Sequence, residues 1–140
     1  MIKIYIQNNR FSGTLPDFSA TPGMRFPTNL QKLYTFNNDF SGTLSPTLFD
    51  LELIQDVILS GNTNLKGALP TLLSTPSLKN LAIGGCSFSG PLPTNITSPL
   101  TSFYLEGNSF SSSIPTLPPT IVDVSLAYNH ISGTISDNFS

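Results

Sequence analysis

The stretch Asn38-Asp39-Phe40-Ser41-Gly42-Thr43-Leu44 is one copy of a phrase that recurs along the chain. Asn9-Arg10-Phe11-Ser12-Gly13-Thr14-Leu15-Pro16 precedes it and Cys86-Ser87-Phe88-Ser89-Gly90-Pro91-Leu92-Pro93 follows it. Looser copies run from Asn62 to Pro70, from Asn108 to Pro115 and from Asn129 to Ile135. Self-similarity at a period of about 20 to 50 residues is the mark of a solenoid, so the architecture follows from the period before any single residue is interpreted.

Anchors at Asn9, Asn38, Asn62, Cys86, Asn108 and Asn129 are separated by 29, 24, 24, 22 and 21 residues. Upstream of them the apolar residues keep fixed offsets: Leu30 and Leu33; Ile54, Val57 and Leu59; Leu78, Leu81 and Ile83; Leu100, Phe103 and Leu105; Ile121, Val124 and Leu126. In most copies the last two are separated by one residue, the period-2 signature of a short strand with one buried face.

The pattern L-x-x-L-x-L-x-x-N-x-L-x-G-x-L/I-P resembles the leucine-rich repeat, in the plant-type form found in receptor-like proteins, receptor kinases and polygalacturonase inhibitors. A similar SGTLP form occurs in some protist surface antigens. The resemblance covers essentially the whole of residues 1 to 140, as one domain of about six repeats. It implies an α/β repeat solenoid by convention, mostly β and turns: a right-handed coil with a parallel sheet on its concave face. It says less about function, because this scaffold serves many recognition tasks.

Departures from the pattern carry information. Thr35 stands where an aliphatic residue is expected, and one extra residue separates Asn62 from Leu65. Residues Ser19 to Pro27 read as an insertion looped out on the outer side. Ser112 replaces the Gly of the other copies. The short final intervals should tighten the coil.

Composition agrees with a coil. Only 10% of the 140 residues are charged, while 39% are hydrophobic, with 12 Pro and 10 Gly. Turns of Ser, Thr, Asn, Gly and Pro can satisfy the backbone while a ladder of Leu, Ile and Phe fills the middle. The evenly spaced Pro residues exclude long helices, and the outer side of each turn is expected to be extended or a short 3₁₀ turn. Terminal repeats normally need a polar cap. The chain starts inside a strand at Ile2-Lys3-Ile4-Tyr5 and stops within a repeat at Phe139-Ser140, so it reads as a fragment lacking both caps. Exposed edge strands would then permit end-to-end self-association. No apolar run is long enough for a membrane span in this segment, and no signal-peptide pattern is present.

The ladder Asn residues are expected to act in the scaffold, bridging adjacent turns where the backbone bends inward. Cys86, the single cysteine, takes the same position and is expected to offer its thiol to the backbone as a weak donor. Phe11, Phe40, Phe88 and Phe110 should stack along the axis, with Leu65 and Ile131 in the same column.

Function must come from residues the scaffold does not use. Outward strand positions form one column of Lys3, Lys32, Asp56, Asn80, Ser102 and Asp123, and a second of Tyr5, Tyr34, Ile58, Ala82, Tyr104 and Ser125. A third holds Gln7, Phe36, Ser60, Gly84, Glu106 and Ala127. Exposed aromatics beside Lys have the composition of a contact surface. The candidate ligand-binding residues are therefore Lys3, Tyr5, Lys32, Tyr34, Phe36, Asp56, Ile58, Tyr104 and Glu106, with Lys32, Tyr34, Phe36 and Tyr5 at the centre. The alternative reading is that these side chains merely cover the sheet, since aromatics favour strands.

Two sequons, Asn95-Ile96-Thr97 and Asn138-Phe139-Ser140, mark Asn95 and Asn138 as candidate glycosylation sites. No nucleophile and base set, phosphate loop or metal-ligand cluster is legible, so no enzyme activity, cofactor or metal is expected. The lone His130 reads as a solvated turn residue. A formal net charge of -2 with a pI near 5.0 offers no nucleic-acid footprint.

The expectation is a non-enzymatic module of an extracellular receptor-like or cell-surface protein, binding a protein or peptide ligand through its concave sheet. An inhibitor of a secreted hydrolase is the second reading. A surface for ice or a wall polymer, along Thr14, Thr43, Ala68, Pro91, Ser113 and Thr134, is a distant third.

Overall fold

Each coil opens with a short strand whose alternate residues must leave water. In the computed structural model, which describes residues 1–19 and 28–135, these strands are β1 (Ile2–Tyr5), β3 (Leu30–Tyr34), β5 (Asp56–Ile58), β8 (Asn80–Ala82), β11 (Ser102–Tyr104) and β13 (Asp123–Ser125). They lie side by side in that order, all parallel, as one six-stranded sheet. The inward residues Leu33, Val57, Leu81 and Phe103 are buried, and Leu30, Ile54, Leu78 and Leu100 seal the edge where the chain enters each strand. Removing a side chain of this size from water contributes about 1.5–3 kcal/mol. A ladder of such residues is therefore the main source of cohesion.

After each strand the chain turns and runs back along a second layer. There β2 (Ser12–Thr14), β4 (Asp39–Thr43), β6 (Asn64–Gly67), β9 (Ser87–Pro91) and β12 (Ser109–Ser111) form a five-stranded parallel sheet. A further pair, β7 (Leu72–Leu73) and β10 (Asn95–Ile96), and one 3₁₀ turn at Pro46–Asp50 complete the outer side. The outer side is thus extended or 3₁₀, as the even spacing of Pro predicts, and its extended segments pair into a second sheet that the spacing does not predict. No helix among the described residues is long and apolar enough to cross a membrane, a statement that does not bear on β-barrels. Of the expected insertion, residues 20–27 lie outside the described residues, as does Asn138.

The turn between the two layers is governed by two adjacent positions. The residue just before each ladder position has a left-handed backbone: Asn8, Asn37, Gly61, Gly85, Gly107 and Tyr128 have φ between 54° and 75°. Asn and Gly tolerate this conformation, whereas Tyr128 does so at a cost. The ladder Asn then satisfies the groups that the turn exposes. Asn62 donates from Nδ2 to the carbonyls of Leu59 and Thr35 at 2.7 and 3.1 Å, and its Oδ1 accepts the N–H of Phe40 in the preceding coil at 3.1 Å. Asn38, Asn108 and Asn129 repeat the arrangement, accepting from Phe11, Phe88 and Phe110. Cys86 offers its thiol to the carbonyls of Leu59 and Gly84 at 3.5 and 3.8 Å, the weak-donor role expected of it. Burial pushes this thiol up from its ordinary pKa, which keeps it protonated and suited to donate.

The aromatic column forms in two stacked pairs, Phe11 with Phe40 and Phe88 with Phe110, at ring separations of 6.4 and 6.3 Å. Leu65 is buried in the same core, and Ile131 packs against it. The proposed Thr ladder does not form. Register in the second sheet pairs Thr14 with Ser41 and Thr43 with Lys66, because successive coils are staggered there and equivalent residues no longer lie side by side.

Candidate functional site

The register of the six-stranded sheet brings the outward side chains into the columns expected. Lys3 pairs with Lys32, Lys32 with Asp56, Asp56 with Asn80, Asn80 with Ser102 and Ser102 with Asp123. Tyr5, Tyr34, Ile58, Ala82, Tyr104 and Ser125 form the next column by the same pairing. Beyond the strand ends, Asn8, Asn37, Gly61, Gly85 and Gly107 donate from their backbone N–H groups to the carbonyls of Phe36, Ser60, Gly84, Glu106 and Ala127. These bonds hold the third column in line.

Asp56 occupies a different environment from the one its outward position implied. It is only 4% exposed, because the longer side chains of Lys32 and Tyr34 on the neighbouring strand fold over it. The Lys32 ammonium forms an ion pair with its Oδ2, the Tyr34 hydroxyl donates to the same oxygen at 3.1 Å, and Asn80 Nδ2 donates to Oδ1 at 2.6 Å. Burial alone would raise the pKa of this carboxyl, yet the bonds from Lys32, Asn80 and Tyr34 outweigh it and bring the group below its ordinary value. The bond to Asp56 raises Lys32 above its usual value in return. Burial, together with the Asp56 charge, raises the Tyr34 phenol. All three groups therefore hold their usual charge states at neutral pH. Asp56 works as the post to which Lys32 and Tyr34 are tied.

That post organises the aromatics. The Tyr5 ring meets the Tyr34 ring edge to face at 5.0 Å, and Tyr34 lies 6.4 Å from Phe36 at a tilt of 50°. Tyr5 is 51% exposed, while Tyr34 and Phe36 are partly exposed. The result is an aromatic wall at one end of the face. At the other end Tyr104 donates to Asp123 Oδ2 at 2.7 Å, a bond that raises the Tyr104 phenol. Asn80 and Asp123, absent from the candidate set, thus serve as anchors for its members. Their placement in the same column as Asp56 was the available signal.

Between the two ends the face is flat. Ile58 is partly exposed and Ala82 is buried, and Gly84, Gly61, Gly85 and Gly107 present no side chains at all. Glu106 lies across this floor: a Cβ added to Gly84 would stand 2.5 Å from one of its carboxylate oxygens. Its Oε2 is buried and has no hydrogen-bond partner, and the same holds for Gln7 Oε1 in the same column. Lys3 is exposed. The sheet face therefore joins eight of the nine candidate side chains on one accessible surface, with Asp56 beneath it.

Elsewhere, a hollow of about 330 Å³ lined by Pro91–Pro93 and Ser112–Pro115 lies on the outer side, and one of about 400 Å³ lies between Thr28–Asn29 and Asp50–Leu53. Neither touches the six-stranded sheet's candidate residues. Among the described residues no group of three or more His, Cys, Asp or Glu could hold a metal. His130 is exposed in its turn, and Asn95 is exposed at the start of β10.

No profile of a known family and no curated protein matches the chain. Solved structures do. Pollen Receptor Kinase 3 is 25% identical with a TM-score of 0.70, covering 95% of this chain and 64% of its own. A TDR receptor is 21% identical with a TM-score of 0.67, covering 97% of this chain and 28% of its own. The plant peptide hormone receptor RGFR1, in complex with RGF2, is 23% identical with a TM-score of 0.62, covering 90% and 24%. The chain thus spans less than two thirds of each. With the repeated motif, the Asn ladder and the parallel coil in agreement, the chain folds as a leucine-rich-repeat coil with repeats of the plant type.

Proposed function

We propose that this chain is a non-catalytic recognition module that binds an extended peptide, or an extended segment of a protein, across the outward face of its six-stranded sheet. The observation that carries the reading is the aromatic wall of Tyr5, Tyr34 and Phe36, ordered by the buried Asp56 and bordering a floor of Gly and Ala. Aromatic side chains fixed before binding supply contact area at little entropic cost. A flat floor lets a ligand backbone approach closely. The similar structure in complex with RGF2 is described as a peptide hormone receptor, which supports a peptide ligand here and an extracellular or cell-surface setting.

The test is direct. Peptides selected on the wild-type chain from a random ten-residue display library are measured against the Tyr34→Ala/Phe36→Ala double variant, with folding checked by circular dichroism. Binding should weaken by about 2–4 kcal/mol, the range of interface hot spots. Equal affinity for a folded double variant would remove the sheet face from consideration. Inhibition of a secreted hydrolase remains a second use of the same face, and would show as loss of hydrolase activity on addition of the chain.

A further inference from the structure

We infer that the Glu106 end of the sheet face is a subsite for a cationic side chain, lysine or arginine, of an extended peptide whose other end rests on the aromatic wall. The inference rests on the proposed peptide-binding reading and adds to it the charge and position of one ligand residue.

Glu106 is the only carboxylate of the third column, and its Oε2 is buried against the sheet without any hydrogen bond. An acceptor held out of water with nothing to accept from is costly, and more so when it carries charge. The cost falls if a donor arrives with the ligand. Among the described residues no cation competes for that role: the ion pair there joins Lys32 to Asp56 within the first column, two columns away from Glu106. Gly84 is what allows the carboxylate to lie flat on the floor, since a Cβ there would come within 2.5 Å of its oxygen.

A second unpartnered acceptor fixes the direction. Gln7 Oε1 is also buried without a donor, in the same column four strands away and next to Phe36. At about 4.8 Å per strand the two oxygens are separated by roughly 19 Å, the reach of about six extended residues. A peptide crossing the strands would therefore place donors at both ends of the column and pass over Phe36, Ser60 and Gly84 between them. Lysine and arginine satisfy the Glu106 end with both charge and hydrogen bonds.

The experiment uses the random ten-residue display library with the full chain. Peptides selected on wild type should carry lysine or arginine at one fixed position, about six residues from an apolar or aromatic one. Glu106→Gln should weaken them at least about tenfold, in line with a lost charged hydrogen bond. A peptide with that basic residue replaced by norleucine should bind wild type and Glu106→Gln equally, which isolates the pair. Gly84→Ala keeps the charge but displaces it, and should weaken the basic peptides more than the norleucine analogue, which loses only its close approach to the floor. If selected peptides depend on Tyr34 and Phe36 but show no basic position, or ignore Glu106→Gln, the subsite is wrong and the sheet-face reading stands. If no selected peptide depends on Tyr34 and Phe36, that reading falls and the subsite falls with it.

Discussion

The side-chain oxygen of Asn108 accepts the backbone N–H of Phe88 in the preceding coil at 2.9 Å. Cys86, one coil earlier, has no such oxygen, and the coil before it has no such need. The extra residue between Asn62 and Leu65 lets the Leu65 N–H bond to the carbonyl of Asn62 within its own turn at 3.0 Å. Two irregularities that look unrelated in the sequence thus compensate each other: where the turn satisfies itself, the ladder can dispense with an acceptor.

It follows that the ladder positions are not interchangeable. Asn108→Cys strands the Phe88 N–H and should cost about 1–3 kcal/mol, whereas Cys86→Asn gains an acceptor with nothing to accept and should change stability by less than about 1 kcal/mol. Urea unfolding of both variants checks this. A gain from Cys86→Asn as large as the loss from Asn108→Cys would contradict the compensation.

Thr35 is fully buried in the strand ladder, and its hydroxyl has no partner. Thr35→Val retains the shape and removes the stranded polar group. Stability should rise by about 1 kcal/mol or more, given the usual cost of an unsatisfied buried hydroxyl. Thermal unfolding decides it, and a lower midpoint would mean the hydroxyl is paired.

Tyr128 has φ of 56° at the position where the other coils use Asn or Gly, and its side chain is 89% exposed. The ring gains little from packing while the backbone bears left-handed strain of roughly 1–2 kcal/mol. Tyr128→Gly should recover about 1 kcal/mol in urea unfolding. A destabilised variant would show that the ring contributes contacts that outweigh the strain.

Asp17 links the first coil to the second. Thr47 donates to its Oδ1 at 2.7 Å, and the Ser19 N–H and Ser45 hydroxyl donate to the same oxygen. The Thr47 bond, followed by that from the Ser19 backbone, lowers its pKa from 3.8 to about 2. A depressed carboxylate contributes stability above its unfolded pKa and loses it as pH falls through the folded value. The contribution should thus be complete above pH 4 and fade towards pH 2. A carboxyl NMR titration should find the midpoint near 2 in wild type and closer to 3.8 in Thr47→Ala. An unchanged midpoint would assign the shift elsewhere.

Asn95 is exposed at the start of β10, and its backbone N–H is bonded to Thr71 at 3.3 Å. Expression through a secretory pathway should attach one glycan there, seen as a mass shift removed by Asn95→Gln. Peptide binding should not change, because β10 is not part of the six-stranded sheet. An unmodified Asn95 in material from that pathway would remove it from the candidate sites.

The sequence by itself determined the coil. Apolar residues at fixed offsets, a ladder Asn and a Gly in the following turn leave few arrangements that bury one set and satisfy the other, so the columns on the sheet face could be written down from spacing alone. Spacing also exposed the local faults at Thr35, Ser112 and Leu65, because a repeat supplies its own standard of comparison. Only the tertiary structure decided which outward residues are available. Asp56 and Ile58 occupy neighbouring outward columns of one strand, yet Asp56 disappears beneath Lys32 and Tyr34 while Glu106 lies unpaired over Gly84. Side-chain length and cross-strand pairing set those outcomes. They depend on which residues face one another across about 4.8 Å, a relation between coils that no single repeat contains. The stagger of the second sheet belongs to the same class: it separates Thr14 from Thr43 by a shift in register that the repeat period does not carry.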